Sequence, residues 1–154
     1  MQRTTPAPIE ATTPRQQRGF SLVEVMVTIA IVGILSAIAL PSYRDYITRS
    51  RLGEAFSALA TVQPNAEQFW SNTRSFANFD TASNVFPAAT ANFTYALSGA
   101  TASTYVVTAT GRGNSTGFVY TIDQQGNRAT TGVPSGWTSN ATCWVDRKGG
   151  TCSQ

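Results

Sequence analysis

Hydrophobic residues follow three different spacings along this chain, and the first is an almost unbroken apolar run. From Phe20 to Leu40 there are 21 residues, and Glu24 is the only charged one among them. A helix of that length crosses about 30 Å of hydrocarbon, so the run predicts a membrane-spanning helix. A carboxylate inside such a span costs on the order of 3 kcal/mol, which indicates that Glu24 has a partner cation.

The second spacing is a stripe of apolar positions that follows Pro41. Its steps of three and four predict a half-buried helix with one face on a core, so the helix is expected to run from Phe20 to about Thr73. Pro41 and Pro64 each lack a backbone donor and are expected to kink the helix, or at Pro64 to end it early. The charged residues between the apolar ones, Glu54 among them, are expected to face water. The stripe comprises Leu52, Ala55, Phe56, Leu59, Val62, Ala66, Phe69 and Trp70.

The third spacing, in the second half of the chain, favours a sheet. Residues 75–91 hold no period and are expected to form a loop that Phe76, Phe79 and Phe86 pack onto the body. After this loop, runs rich in Tyr, Val, Thr and Phe alternate with Gly, Ser and Asn clusters, which is typical of strands with short connections. The predicted fold class is α+β: a long N-terminal helix with an antiparallel meander of three to four strands on its C-terminal half. The predicted strands are Phe93–Leu97, Thr104–Thr110, Gly117–Asp123 and, after a tight turn at Gln125-Gly126-Asn127, Arg128–Thr131.

Composition argues against catalysis and metal binding. The chain has 154 residues and no histidine, which removes the commonest general base and a favoured metal ligand. After residue 90 the only acidic residues are Asp123 and Asp146, too few for a calcium cage. The sequence carries no recognisable nucleophile–base pair or phosphate-binding loop. We therefore predict a protein that is not an enzyme and that has no cofactor and no metal site.

Cys143 and Cys152 are the only cysteines and lie close together near the end of the chain. In an exported domain this spacing indicates a disulfide that closes a short loop, with a gain of roughly 2.5–3 kcal/mol. Two unrelated buried thiols are the alternative, and a zinc site would lack further ligands. Positive-inside counting gives no orientation, because three arginines precede the apolar run and three follow it closely. The disulfide decides the question, because it requires the body to lie on the oxidising, outer side.

The junction between the polar leader and the apolar run carries a recognisable motif. Residues 18–26 read Arg-Gly-Phe-Ser-Leu-Val-Glu-Val-Met, and Pro41 follows within Ala39-Leu40-Pro41-Ser42-Tyr43. A Gly, an aromatic residue, a Glu and a Pro at these offsets resemble the processing and assembly segment of type IV prepilins. The rest of the chain agrees with that family in outline: a long helix, a strand-rich second half and a late cysteine pair.

The resemblance implies that a prepilin peptidase cleaves behind Gly19 and methylates the new amino group of Phe20. The resemblance also places Pro41 where many of these pilins have a helix-kinking proline, which would either unwind the helix locally so that a filament can stretch or simply bend it at the membrane exit. It further implies that Glu24 pairs with the Phe20 ammonium of a neighbouring subunit. A slip of that pair would leave two buried charges without partners, so the pair would fix the axial register. The expected domains are a leader over residues 1–19, a membrane and filament-core helix over residues 20–48, and a globular head over residues 49–154.

The leader also affects the charge of the working protein. Residues 1–18 are rich in Thr, Pro and Gln without periodicity, and are expected to be disordered. Their removal leaves eight basic and seven acidic side chains. A near-neutral chain is more typical of a closely packed surface protein than of a polyanion binder.

One group of residues nevertheless suits nucleic acid. The terminal loop offers Arg147 and Lys148 beside Trp144, and Arg112 and Arg128 lie near strand ends. Basic residues with nearby aromatic rings are what DNA binding uses. The patch is faint, so a solvated loop or a contact between subunits is the favoured interpretation, and DNA is the less favoured partner.

The predicted function is that of a major or minor type IV pilin. It would be held in the inner membrane with its body in the periplasm, and then polymerised into an extracellular filament for adhesion, twitching motility or DNA uptake. Its partners would be other pilin subunits, a prepilin peptidase and the inner-membrane assembly machinery. A pseudopilin of a type II secretion system is the alternative within the superfamily. A secreted or anchored binding module, whose apolar run is an ordinary signal segment with Ala37-Ile38-Ala39 as its cleavage site, is the alternative outside it.

Overall fold

The computed structural model describes residues 19–82 and 84–153. Residues 1–18 of the predicted leader, and the disorder predicted for them, lie outside the described residues. The described chain divides into two compact units between Leu40 and Pro41. One helix, α1, runs from Leu22 to Thr73 and contributes residues to both units.

In the first unit α1 is apolar on all sides. Its large side chains are exposed, for example Val23 by 66% and Ile34 by 66%. None of this apolar stretch is buried, and α1 is the one described helix that is long and apolar enough to cross a membrane. The apolar run therefore forms the helix that the sequence predicted, although it begins two residues later than Phe20.

Both prolines lie inside α1. The helix ends at Thr73, as predicted, so Pro64 does not end it early.

Hydroxyl groups along the helix donate to backbone carbonyls one turn earlier, as Thr28 does to Glu24 at 2.7 Å and Thr48 to Arg44 at 3.0 Å.

In the second unit the predicted stripe of α1 faces the core. Five of its members are fully buried, namely Leu52, Ala55, Leu59, Val62 and Ala66. The aromatic members Phe56, Phe69 and Trp70 are partly buried at the edge of the same face. The periodicity of three and four therefore predicted the buried face correctly.

Glu54 is an exception to the expectation that charged residues of α1 face water. Its side chain is partly buried, one carboxylate oxygen accepts a hydrogen bond from the Asn92 amide at 2.7 Å, and the other is buried without a hydrogen-bond partner. Burial, together with the nearby Glu54 charge, raises the pKa of Tyr95 to about 12. The prediction for Glu54 was wrong because the segment before the first strand covers this position of the helix.

Four strands form one antiparallel sheet in the described part of the chain. They pair in the sequential order β1-β2-β3-β4, so the predicted meander is confirmed. A β-bulge shifts the register between β3 and β4 at Val119 and Tyr120. The strands are β1 Phe93–Ser98, β2 Val106–Gly111, β3 Val119–Asp123 and β4 Arg128–Gly132.

Two strands begin two residues later than predicted, for local reasons. Before β2, Thr101 and Thr104 form a turn, so the strand begins only at Val106. Their hydroxyl groups lie 2.7 Å apart, and the Thr101 amide donates to the Thr104 carbonyl. Gly117 has a φ of 97°, which is incompatible with an extended strand. A 3-10 turn over Gly113–Ser115, which hydrophobic patterning did not predict, occupies the connection before it.

The core lies between α1 and the inner face of the sheet. Phe56 of α1 meets the Tyr120 ring edge-on at a centroid distance of 5.0 Å. Phe79 is fully buried and contacts Phe69 and Phe86 at 5.5 Å each, so the loop after α1 packs onto the body as predicted. Tyr105 and Phe118, which immediately precede β2 and β3, are buried as well. The buried hydrophobic residues of the strands are Phe93, Val107, Ala109, Tyr120 and Ile122.

The predicted tight turn joins β3 and β4, and Asp123 organises it. One Asp123 carboxylate oxygen accepts hydrogen bonds from the backbone amides of Gln125 and Asn127, both at 2.9 Å. Gly126 has a φ of 78°, the left-handed conformation that glycine adopts without strain. Partial burial opposes ionisation of Asp123, but the hydrogen bonds from Asn127, Gln125 and Gly126 outweigh it and lower the pKa below its ordinary value.

Candidate functional site

The terminal loop, Cys143–Cys152, is held by a disulfide and by the sheet. The two cysteines are bonded with their Cα atoms 6.2 Å apart, which confirms the predicted pair. The Thr130 hydroxyl of β4 donates to the Cys143 carbonyl at 2.8 Å and accepts from the Val145 amide at 2.8 Å. The Tyr120 hydroxyl donates to the Val145 carbonyl at 2.9 Å. Burial and the nearby Asp146 carboxylate raise the pKa of Tyr120, so this phenol stays a donor.

Trp144 is a core residue, and its predicted availability to DNA is wrong. The side chain is 1% exposed, and its indole nitrogen donates to the Thr121 carbonyl at 2.8 Å. Its ring stacks on Phe56 with a centroid distance of 5.7 Å, and the Arg128 guanidinium lies 4.4 Å from the ring centroid. Trp144 is buried because the loop folds back onto the sheet, so it is not available to stack on a base.

Arg147 and Lys148 are exposed, as predicted, and Lys148 forms an ion pair. Its ammonium lies 2.9 Å and 3.2 Å from the two carboxylate oxygens of Asp45 on α1. This is the one ion pair among residues 19–82 and 84–153. It ties the terminal loop to the helix across 103 positions of sequence.

Beside this ion pair lies a shallow groove of about 200 Å³, which we call the loop groove. Its lining joins three cations with two carboxylates and an indole. Trp137 is half-buried and meets the Phe118 ring edge-on at 4.8 Å. Asp146 is 8% exposed; one of its oxygens accepts a hydrogen bond from the Ser153 hydroxyl and the other is buried without a hydrogen-bond partner. The lining residues are Asp45, Arg49, Trp137, Asp146, Arg147 and Lys148.

Two predicted DNA contacts lie elsewhere. Arg112 follows β2, is exposed, and donates to the Thr90 carbonyl at 3.4 Å. Arg128 begins β4 and lines a separate hollow with Asn127 and Thr142. Neither lines the loop groove, so the structure brings Arg147 and Lys148 together but does not add these two arginines to them.

Four residues of the loop groove were not among the predicted DNA contacts, namely Asp45, Arg49, Trp137 and Asp146. Asp45 and Arg49 come from α1, Trp137 from the segment between β4 and the loop, and Asp146 from the loop itself. No local motif marks them, since the two α1 residues lie about ninety to a hundred positions before the other two. Trp137 takes the place beside the basic pair that the sequence had given to Trp144.

The predicted processing residues lie together at the start of α1. Gly19, Phe20, Ser21 and Glu24 share a hollow of about 340 Å³, and Phe20 is 83% exposed. Glu24 lies in the first turn of the helix. The peptide bond behind Gly19 and the carboxylate five residues further along are therefore accessible in the single chain.

Comparison with known families identifies what these two regions belong to. Residues 14–40 match the prokaryotic N-terminal methylation motif. Residues 41–119, just over half of the chain, match the family described as "Type IV minor pilin ComP, DNA uptake sequence receptor". The chain belongs to the type IV pilin family. Its family assembles filaments from pilin subunits, the methylation motif implies processing by a prepilin peptidase, and the apolar helix is consistent with anchoring in the inner membrane.

Individual pilins agree with the family match. The chain is 46% identical over 56 residues to the fimbrial protein EcpC of Eikenella corrodens, covering 36% of this chain and 37% of that protein. It is 47% identical over 62 residues to a fimbrial protein of Moraxella nonliquefaciens, covering 40% of each. It is 54% identical over 50 residues to the type IV major pilin protein PilE1 of Neisseria gonorrhoeae, covering 32% of this chain and 30% of that pilin. The matches thus span two fifths or less of these relatives.

The two family matches also locate the predicted site residues. Gly19, Phe20 and Glu24 fall inside the methylation motif. Arg112 falls inside the minor-pilin match, which ends at residue 119, before Arg128 and the terminal loop. The loop groove therefore combines α1 residues inside the match with loop residues outside it.

Proposed function

We propose that this pilin is cleaved behind Gly19, methylated on Phe20, and stored in the inner membrane with its second unit in the periplasm. The methylation motif and the exposed apolar helix support the first two steps and the storage. The disulfide supports the orientation, because disulfides persist in oxidising compartments such as the periplasm. The inner-membrane assembly machinery then draws the subunit into the filament, where its role is structural and binding rather than catalytic.

Glu24 would guide that assembly step. Cleavage creates an ammonium on Phe20, four residues before Glu24 and equally available to a neighbouring subunit. A carboxylate in hydrocarbon is costly alone, so the pairing of Glu24 with a neighbour's ammonium is favoured at one axial register. We propose this register role for Glu24, with Pro41 as the point where the helix adapts to packing in the filament.

The ligand that we propose for the filament is DNA. The observation that carries this proposal is the match of residues 41–119 to a family of DNA uptake sequence receptors. The sequence alone favoured a solvated loop or a subunit contact for Arg147 and Lys148. The family match is the reason to place DNA first.

The loop groove supplies a surface of suitable charge. Arg49 of α1 lies with Arg147 and Lys148 along one groove, and all three are exposed. Cations held together neutralise successive phosphates and release counterions, which makes binding dependent on salt and largely blind to sequence. The groove offers the half-buried Trp137 as its aromatic wall, so we expect backbone contacts rather than stacking on the core residue Trp144.

The experiment is a titration of labelled duplex DNA with the full chain in detergent, followed by fluorescence anisotropy over a range of salt concentrations. Arg147→Ala is compared with Arg74→Ala, an exposed arginine whose guanidinium lies 4.9 Å from the Trp70 ring centroid. We expect weak binding of the wild type, with a dissociation constant on the order of 10⁻⁴–10⁻⁶ M at physiological salt. Arg147→Ala should lower the salt slope by about one unit, and Arg74→Ala should not.

Two results would contradict the DNA proposal. One is the absence of binding by the wild type even at low salt, which would assign the loop groove to a contact between subunits. The other is an equal loss in both variants, which would mean that net charge rather than the groove attracts DNA.

A further inference from the structure

A second groove lies on a neighbouring face of α1, and the DNA proposal does not use it. We call it the helix groove; its volume is about 360 Å³. Arg44, Thr48 and Arg51 are spaced by four and three residues, so they share one face of the helix. Asn114, in the 3-10 turn between β2 and β3, supplies the opposite wall. The lining residues are Tyr43, Arg44, Ile47, Thr48, Arg51 and Asn114.

The helix groove is positively charged. None of the described residues that line it is acidic. The one ion pair in the described chain joins Asp45 to Lys148, and therefore leaves Arg44 and Arg51 without a carboxylate partner among the described residues. Glu54, on the same helix, is bound to Asn92 instead. Two guanidinium groups with free donors are suited to bidentate contact with phosphate oxygens.

The position of the groove in the chain points to one source of phosphate. Tyr43 follows the last residue of the apolar run, Leu40, by three positions. Tyr43 and Tyr46 are 63% and 64% exposed, and tyrosines are enriched where a helix leaves the hydrocarbon. Helical Cα–Cβ bonds tilt toward the N-terminus of their helix, and in chain order the apolar run precedes Arg44 and Arg51.

We propose that the helix groove holds the phosphate of an anionic phospholipid of the outer leaflet while the pilin is stored in the inner membrane. This rests on the membrane-stored state proposed above. Arg44 and Arg51 contact the phosphate oxygens, and the Tyr43 hydroxyl and the Asn114 amide lie at the rim as donors. The positive-inside preference concerns basic residues on the cytoplasmic side of a span, so it does not explain arginines on the outer side. Contact with lipid phosphate does explain them.

Phospholipid and DNA both present phosphodiesters, so the experiment must separate them. The full chain is purified in detergent, supplied with equal amounts of phosphatidylglycerol and phosphatidylcholine, and analysed by native mass spectrometry for retained lipid. The variants are Arg44→Gln/Arg51→Gln, the charge-preserving Arg44→Lys/Arg51→Lys, and the control Arg74→Gln. Formation of the disulfide and membrane fractionation before extraction show that each variant folds and that the stored state exists.

We expect the wild type and Arg74→Gln to retain phosphatidylglycerol in preference to phosphatidylcholine. The preference should fall roughly fivefold for each arginine replaced by glutamine, the scale of one basic residue's attraction to an anionic membrane surface. The Arg44→Lys/Arg51→Lys variant should lose part of the preference, because an ammonium lacks the planar fork of a guanidinium.

Three outcomes would overturn the proposal. The first is a wild type without preference for the anionic lipid, and the second is full preference in the lysine variant, which would indicate diffuse charge instead of a built site. The third is a glutamine variant that retains the lipid but loses duplex DNA in the anisotropy titration, which would assign the groove to DNA. A protein absent from the membrane fraction would instead refute the storage that this inference rests on.

Discussion

The ion pair between Lys148 and Asp45 makes a prediction that separates the loop groove from general surface charge. Asp45→Asn keeps the size of the side chain and removes the carboxylate that holds the Lys148 ammonium at 2.9 Å. The ammonium is then free to contact phosphate, and the carboxylate no longer repels it. We therefore expect Asp45→Asn to bind duplex DNA more tightly than the wild type.

The exposure of the pair limits the size of this gain. The side chains of Lys148 and Asp45 are 57% and 42% exposed, so solvent screens the attraction and the pair is worth about 0–1 kcal/mol. Release of Lys148 should therefore raise the affinity by no more than about fivefold. The salt slope should steepen by no more than about one unit, because Lys148 then contacts phosphate without competition from the Asp45 carboxylate.

The assay is a double-mutant cycle in the anisotropy titration. Lys148→Ala is combined with Asp45→Asn, and Asp80→Asn serves as the control because Asp80 is an exposed carboxylate outside the loop groove. The gain from Asp45→Asn should largely disappear when Lys148 is absent. A gain that persists without Lys148, or one that Asp80→Asn reproduces, would refute the reasoning.

Three further predictions test the proposed site and the fold. Mass spectrometry of the mature pilin should find Phe20 as its first residue with the mass of one added methyl group, and a chain that begins at Leu40 would contradict the processing. Glu24→Gln should be cleaved normally but enter filaments poorly, because the Phe20 ammonium loses its partner; normal incorporation would refute the register role. Asp123 should stabilise the fold above its unfolded pKa, 3.8, and lose that contribution as pH falls through its lower folded pKa. Urea unfolding should therefore separate the wild type from Asp123→Asn at neutral pH and bring them together in acid.

The elements of the fold were predictable because each depends on local spacing. The steps of the α1 stripe, the β-rich runs and the Gln125-Gly126-Asn127 turn all specify structure within a few residues. Strand ends were less accurate, because a φ of 97° at Gly117 and the hydroxyl contact between Thr101 and Thr104 are properties of the folded backbone. Such properties leave little trace in hydrophobic patterning.

The candidate site was predictable only where a contiguous motif carries it. Gly19, Phe20 and Glu24 lie within six residues and match the methylation motif. The loop groove instead depends on a contact between Asp45 and Lys148, 103 positions apart, which no local pattern reveals. Trp144 was mispredicted for the same reason. Its position near a basic pair in the sequence suggested an exposed aromatic side chain, but in the fold its indole donates a hydrogen bond to Thr121 and lies in the core.

The burial of Trp144 strengthens the case for the neighbouring cations, although it removes a contact. Trp144 and Val145 are fixed by hydrogen bonds to β3 and β4, and the disulfide fixes the far end of the loop. Arg147 and Lys148 lie between these two anchors, so their backbone is already ordered before a ligand arrives. Binding then costs mainly the ordering of two side chains, roughly 0.5–1.5 kcal/mol each, and not that of a flexible terminus. A basic pair on a free C-terminal tail would lose more conformational entropy in making the same phosphate contacts. Closure of the loop by the disulfide therefore favours phosphate binding by Arg147 and Lys148.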